Sequence, residues 1–138
     1  MSWFAYATIA AIAAALTAIL AKIGVEGVPS ALATAIRTVV VMVCAWGVVF
    51  GLDQHRALST ISARSVTFLG LSGVATAVSW LAYFHALRMA PASWVAPIDK
   101  LSLPMTIVLA AVLLGEAVTW QLVAGVALMV IGALITRA

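Results

Sequence analysis

An aspartate and a lysine, Asp99 and Lys100, stand side by side in a segment that is otherwise almost entirely apolar. The segment Trp94–Leu114 reads WVAPIDKLSLPMTIVLAAVLL, which is long enough to cross the hydrocarbon layer of a bilayer. A charge inside the bilayer costs about 2.5 to 17 kcal/mol, depending on how it is measured. Such charges are therefore expected where they are paired, face a water-filled cavity, or handle a substrate or an ion.

The two neighbours make poor partners for each other. Consecutive residues of a helix project about 100° apart, so Asp99 and Lys100 are each predicted to need a different partner. The alternative is a pair of opposite charges that neutralise each other near a helix end.

A third charge, Arg37, lies in another apolar segment at a matching depth. It stands six residues into its segment and Asp99 stands five residues into its own. Both are therefore expected roughly 8 Å below the same membrane face. Equal depth and opposite charge predict an Arg37–Asp99 pair, bidentate where geometry permits. Lys100 is then left to Glu26, to an anionic group in a cavity, or to the lipid headgroups by snorkelling.

Hydroxyl groups follow these charges at helical spacing. Ser72, Thr76, Ser79 and Tyr83 are spaced four, three and four residues apart and fall on one helix face. In a membrane such a face lines either a packed interface or a water-filled cavity, and the bulk of Tyr83 favours the cavity. A second polar face carries Asp99, Ser102 and Thr106, and a third carries Thr34, Arg37 and Thr38. The residues predicted to bind or gate a substrate are Arg37, Ser72, Thr76, Ser79, Trp80, Tyr83, Asp99, Lys100 and Ser102.

The composition shows which elements must hold these residues. The 138 residues are 66% hydrophobic and 8% charged, whereas soluble domains carry roughly 25% charged residues. Windows of about twenty apolar residues recur along the chain, each able to span a bilayer. We predict an all-α membrane protein with a single transmembrane domain over residues 1–138, whose five helices are Trp3–Ile23, Ala31–Leu52, Ser65–Leu87, Trp94–Leu114 and Trp120–Ile135.

Several other classes of protein are not expected. The net charge of +3 comes from scattered basic residues that form no patch, so nucleic acid is not a predicted partner. No nucleophile–base pair or metal-ligand spacing occurs, so neither an enzyme nor a bound metal or cofactor is predicted. The bilayer itself is the first partner.

Turn chemistry separates the predicted helices. Asp53, Ser93 and Thr119 stand where helix N-caps or polar breaks are expected. Pro104 lies inside the fourth segment, where a proline is expected to kink the helix. Trp80 lies well inside the third segment, away from the interfacial positions that tryptophan prefers.

The basic residues at the helix ends give little sign of orientation. Five crossings place the chain ends on opposite sides of the membrane. Lys22, Arg88 and Arg137 flank one side, and Arg56 and Arg64 flank the other. Because orientation follows the excess of positive charge, this small difference allows either an orientation set by something else or insertion both ways up.

Three segments together resemble a known family. They are AILAKIGVEGVPSALATAIRTVVV near the start, SWLAYFHALRMAPASWVAPIDKLSLPMTIVLAAVLLGE, and GVALMVIGALI at the close. In this order, the AL…A helix end, the VAPI opening and the LLGE close are similar to one EamA domain of the drug/metabolite transporter superfamily. The resemblance covers nearly the whole chain, which looks like the half-length kind.

The resemblance implies a partner chain. Larger members carry two five-helix domains of inverted topology around a central cavity, a ten-helix fold of which this chain would be one half. An antiparallel homodimer is therefore expected. Gly125, Leu128 and Gly132 are spaced like the dimerisation helix of the small multidrug resistance proteins. Those relatives depend on a glutamate in their first helix, and its absence here argues against exchange of polyaromatic cations for protons.

The function implied is secondary transport of a small polar metabolite by alternating access, with helices two to four lining the cavity. Coupling to protons through Asp99 is the simplest energy source, because no ATP-binding loop is present. The expected location is the cell membrane as a multi-pass protein, meaning the inner membrane in a Gram-negative cell. The alternative is a membrane adaptor or assembly partner that does not transport and binds other helices through its small-residue faces.

Overall fold

The computed structural model describes residues 2–136, and these residues form helices and connections without a β-strand. The helices, in chain order, are α1 (Trp3–Gly24), α2 (Ser30–Gly51), a short 3-10 helix (Gln54–Thr60), α3 (Ala63–Met89), α4 (Ala92–Asp99), α5 (Ser102–Leu109) with a π-helical turn (Ala110–Leu114), and α6 (Trp120–Ile135).

Length and composition suit four of these segments to a membrane. Crossing about 30 Å of hydrocarbon takes about 20 helical residues, since each adds about 1.5 Å. Trp3–Gly24 and Ser30–Gly51 have 22 residues each, Ala63–Met89 has 27 and Ala92–Leu114 has 23, with mean hydropathies between 1.5 and 2.1. The fifth apolar helix, α6, is shorter at 16 residues. The predicted all-α membrane fold is confirmed, and the predicted helix bounds lie within two residues of those observed.

The chain divides into two compact units, one made of Met1–Leu20 and Met89–Ala138 and the other of Ala21–Arg88. In the second unit, the end of α1 with the connection that follows it, the start of α2 and the end of α3 supply the buried residues. Leu87 and Val25 are completely or almost completely buried, and the other buried residues of this unit are Ala21, Thr34 and Phe84. Most large apolar side chains elsewhere are exposed, as expected of helices whose solvent is lipid.

A lysine joins two helix ends inside the second unit. Lys22, in the last turn of α1, donates a hydrogen bond from its Nζ atom to the backbone carbonyl of Leu87. Leu87 lies in the last turn of α3, where carbonyls lack a partner within their own helix. A cation there also complements the helix dipole, typically by about 0.3–1 kcal/mol. Lys22 therefore fixes the end of α3, which carries Trp80 two turns earlier.

The connections place two of the three predicted N-cap residues directly before a helix and correct the third. Thr119 caps α6, since its hydroxyl accepts a hydrogen bond from the Leu122 amide at 3.3 Å, as predicted. The prediction for Ser93 was wrong: it lies inside α4, which follows Pro91, because the fixed backbone angle of proline already sets the start of the helix. Asp53 precedes the 3-10 helix without a capping bond, has a φ of 55°, and forms an ion pair with Arg56 at 3.8 Å.

The fourth span is interrupted close to Pro104, the residue at which a kink was predicted. Helix α4 ends at Asp99, α5 begins at Ser102, and Lys100 and Leu101 form a turn between them. Pro104 has no amide proton, and its ring would meet the carbonyl of Lys100 four residues earlier in a continuous helix. That carbonyl instead accepts a hydrogen bond from the Leu103 amide at 3.0 Å, a tighter turn. In the same unit, α6 packs along α4 and α5.

Candidate functional site

The guanidinium of Arg37 lies over an aromatic ring. Its Cζ atom stands 3.2 Å from the centre of the Trp80 ring, so α2 and α3 meet through this pair inside the second unit. The Trp80 ring is itself held by Tyr83 and Phe84, whose ring centres lie 5.6 and 5.7 Å away. A cation on a tryptophan face is stabilised by about 2 kcal/mol or more when water is excluded. This contact explains why a tryptophan stands in the middle of α3.

No acidic group of the second unit neutralises Arg37. Within Ala21–Arg88 the carboxylates are Glu26 and Asp53, and neither forms an ion pair with the guanidinium. Placing a charge in a bilayer costs about 2.5 kcal/mol or more, so a cation–π contact of about 2 kcal/mol leaves part of that cost uncompensated. Within residues 21–88 the guanidinium donates no hydrogen bond, so its N–H groups are available for an anion.

A small cavity lies beside the stacked pair. Its volume is about 140 Å³, and four of its lining residues come from α2 and four from α3. The lining combines the cation and its ring with hydroxyl groups and small or branched apolar groups: Thr34, Arg37, Thr38, Val41, Gly73, Thr76, Ala77 and Trp80. We call this space the Arg37 pocket.

The threonine hydroxyls of the Arg37 pocket all donate hydrogen bonds to backbone carbonyls of their own helix. Thr34 donates to the carbonyl of Ser30 at 2.9 Å, Thr38 to that of Thr34 at 2.8 Å, and Thr76 to that of Ser72 at 2.9 Å. Their oxygens keep lone pairs that accept hydrogen bonds. The guanidinium is consequently the charged donor in this lining, and the indole N–H of Trp80 is a neutral one.

The polar face predicted for α3 meets the Arg37 pocket along one edge. Thr76 and Trp80 line it, whereas Ser72, Ser79 and Tyr83 lie outside its lining. The lining face of α3 shares Thr76 with the hydroxyl stripe. Its other members, Gly73, Ala77 and Trp80, each follow a stripe residue by one position and hence project about 100° away from it. The sequence analysis missed Gly73 and Ala77, although small residues at helical spacing around a tryptophan were a usable signal. A substrate role for Ser72, Ser79 and Tyr83 stays a prediction.

The interrupted span holds the other two charges in the first unit. Lys100 Nζ and Asp99 Oδ2 are 3.4 Å apart, so the two neighbours contact each other, although each was predicted to need a different partner. That prediction assumed a continuous helix, whereas α4 ends at Asp99 and the turn leaves Lys100 free to fold back. The side chains remain 57% and 36% exposed, and the contact is long, so both groups keep bonding capacity.

The turn also separates two residues that were predicted to share a face. Asp99 ends α4 and Ser102 begins α5, while Thr106 donates its hydroxyl proton to the Ser102 carbonyl at 2.9 Å. Arg37 and Asp99 belong to different units, and the pair predicted between them stays a prediction. The same holds for a contact between Glu26 and Lys100.

The residues predicted to form a dimer contact lie on α6. Leu128 is 71% exposed, and Gly132 is exposed as well. A Cβ atom built on Gly125 or on Gly132 would meet no atom of the described chain within 4 Å. Packing among the described residues therefore does not explain why these positions are glycine.

Fold and site together define a multi-pass, all-helical membrane protein with a charged residue beside a small pocket between two of its membrane-spanning helices. The model of the EamA-like transporter family matches residues 1–138. A protein of Sinorhizobium sp described as an uncharacterized transporter in the cobO 3'region is 44% identical over 134 residues, covering 97% of this chain and 95% of the relative. No solved structure matches the chain significantly.

The chain belongs to the EamA-like transporter family, and so to the drug/metabolite transporter superfamily. The relative is a short chain as well, since the match covers nearly all of it. The resemblance found in the three sequence segments is thereby confirmed, including the half-length form.

Proposed function

We propose that this protein is a secondary transporter of a small polar solute that works by alternating access in the cell membrane, which is the inner membrane in a Gram-negative cell. The observation that carries the proposal is Arg37, a charge kept in a membrane-spanning helix beside a small cavity that also contains threonine side chains. Charges at such depth are rare and mark substrate or ion paths in membrane proteins. Family membership and the relative's description as a transporter support the same function.

The interrupted fourth span adds a second feature typical of transporters. Many secondary transporters bind substrate and coupling ions at discontinuous helices, where backbone and side chains are freed from the regular hydrogen-bond ladder. Here the interruption carries Asp99 and Lys100. We assign Asp99 to proton coupling because the other three carboxylates, Glu26, Asp53 and Glu116, lie in connections between helices.

The working unit we propose is an antiparallel homodimer. Inverted repeats place the substrate between two oppositely oriented halves, and this short chain supplies one such half. The face of Gly125, Leu128 and Gly132 on α6, where Gly125 is half-buried and the other two are exposed, offers a surface on which a second helix could approach closely. The near balance of basic residues at the helix ends supports insertion both ways up.

Transport is tested on the purified protein in two stages. A thermal-shift screen of amino acids, organic acids, sugars and amines is expected to give a subset of solutes that raise the unfolding temperature, because ligands that bind the native state stabilise it. Those solutes are then offered, radiolabelled, to proteoliposomes under a proton gradient. Accumulation above that of protein-free liposomes is the expected result. Binding without uptake would favour an adaptor over a transporter.

The orientation of the chain is tested with an impermeant thiol reagent. Cys44 is first replaced by alanine, since it is a free and exposed thiol, and Ser59→Cys then places a reporter in the connection between α2 and α3. Insertion both ways up predicts labelling of about half the molecules in sealed right-side-out vesicles and of all of them after permeabilisation. Full labelling, or none, before permeabilisation contradicts the antiparallel homodimer and calls for a different, oppositely oriented partner.

A further inference from the structure

Trp80 limits where the Arg37 guanidinium can lie. The Cζ atom of the guanidinium is over the Trp80 ring, 3.2 Å from the ring centre. A guanidinium is a planar fork of donors that matches two oxygens of a carboxylate or a phosphate. The hydroxyls of Thr34, Thr38 and Thr76 are already committed as donors, so they cannot replace Arg37 in binding an anion.

We propose that the Arg37 pocket binds the oxyanion group of a small soluble substrate, with the N–H groups of Arg37 holding two of its oxygens and Trp80 positioning the guanidinium. This inference rests on the proposed transport function and names the substrate class: small carboxylates or phosphorylated solutes. Threonine oxygens on both walls accept hydrogen bonds from a hydroxyl or amino group next to the oxyanion.

The size of the pocket limits what enters it. A volume of about 140 Å³ is well below the roughly 300–1,000 Å³ of sites that enclose a drug-sized molecule. The pocket therefore encloses the charged end of a solute, or a solute of a few heavy atoms. Small residues, Gly73 and Ala77, form the part of the α3 wall that leaves this room.

The depth of the pocket favours a soluble anion over a lipid headgroup. Arg37 is seven residues beyond Ser30, where α2 begins, which is about 10 Å along the helix axis. A headgroup phosphate normally lies outside the hydrocarbon layer and would have to be drawn inward by that distance. Because a lipid headgroup and a soluble solute can present the same phosphate group, the experiment below includes a test that distinguishes the two.

The experiment measures thermal stabilisation of the purified full-length protein by simple oxyanions. Acetate and inorganic phosphate serve as probes, with chloride at equal ionic strength as the control for screening. Both oxyanions are expected to raise the unfolding temperature of the wild type, and chloride is not. Arg37→Gln is expected to raise the half-maximal probe concentration by roughly tenfold or more, and Arg37→Lys by less, since lysine keeps the charge but loses the fork.

The chain offers a matched control for each variant. Arg64→Gln also removes an arginine near an aromatic ring of α3, but Arg64 is exposed, lies 5.8 Å from the centre of the Phe68 ring, and is outside the pocket. It should keep the wild-type response. Gly73→Leu fills the pocket without changing Arg37, since a Cβ there meets no atom of the described chain within 4 Å, and should abolish the response. Gly70→Leu makes the same change on α3 away from the lining and should not.

A wild-type response in Arg37→Gln overturns the inference. If Arg37→Gln does not fold, Gly73→Leu decides instead, and an unchanged response in that variant overturns the inference.

The lipid source is tested in nanodiscs of phosphatidylcholine with and without phosphatidylglycerol. Stabilisation by the anionic lipid, lost in Arg37→Gln, combined with no response to acetate or phosphate, overturns the soluble substrate. Uptake in proteoliposomes is scored separately. Uptake that does not depend on Arg37 rejects this substrate class alone, whereas oxyanion binding without any uptake rejects transport alone.

Discussion

Asp99→Asn is expected to abolish accumulation of solute against a gradient while leaving downhill exchange in place. Asparagine keeps the shape of the side chain but cannot take up and release a proton. If Asp99 carries the coupling proton, the variant equilibrates solute across the membrane and accumulates none. The measurement is uptake of labelled solute by proteoliposomes, with and without an imposed proton gradient, beside counterflow exchange at equal internal and external concentrations.

Two controls separate coupling from stability. Glu116→Gln removes a carboxylate that lies in the connection before α6, outside the spanning segments, and should leave coupling intact. Lys100→Gln removes the charge 3.4 Å from Asp99 and should weaken apparent affinity for an anionic solute without abolishing coupling. Should Asp99 act only as a counter-charge, Asp99→Asn would lower expression and unfolding temperature, and the surviving protein would still accumulate solute. Active uptake by Asp99→Asn at the wild-type level removes the coupling role.

The spanning segments could be predicted from the sequence because one physical quantity decides them. A helix that crosses hydrocarbon needs about twenty apolar residues, and the predicted bounds of α1 and α6 consequently agree with the structure to within one residue. A disturbance of the fourth span could also be predicted, since Pro104 cannot donate the helical hydrogen bond to Lys100. The length of the interruption could not be predicted, because it depends on which carbonyls accept hydrogen bonds from Leu101 and Leu103.

The partners of the charges could be predicted less well. Depth and opposite sign pointed from Arg37 to Asp99, but the same reasoning took no account of aromatic rings as partners for a cation. The sequence showed that Trp80 lies away from the membrane interface, where tryptophan is usually found. The reason for its position, contact with Arg37, can be seen only when α2 and α3 are placed together. Which residues of two different helices meet depends on helix rotation, and a difference of one residue turns a face by about 100°. The same rotation separates the predicted hydroxyl stripe from the observed lining of the Arg37 pocket.

Pro104→Ala is expected to make the protein more stable and less active. Alanine restores the missing amide and removes the ring that disfavours a continuous helix, so α4 and α5 are expected to join through Lys100 and Leu101. Alanine is favoured over proline in a helix interior by about 3 kcal/mol, which bounds the gain in the free energy of unfolding. A regular helix would also move Lys100 away from Asp99, because neighbours on a helix project about 100° apart.

We therefore expect the variant to have a higher unfolding temperature and slower hydrogen exchange of the amides from Asp99 to Leu103. We also expect its uptake rate to fall by roughly tenfold or more, because transporters place ion and substrate contacts at such interruptions. Pro97→Ala is the matched control. It changes a proline in the same span, but one through which α4 already continues, so it should leave the interruption and the uptake rate unchanged. Wild-type uptake by a stabilised Pro104→Ala protein would show that the interruption is dispensable for transport. A destabilised Pro104→Ala protein would instead mean that packing against α6, rather than the proline, maintains the turn at Lys100 and Leu101.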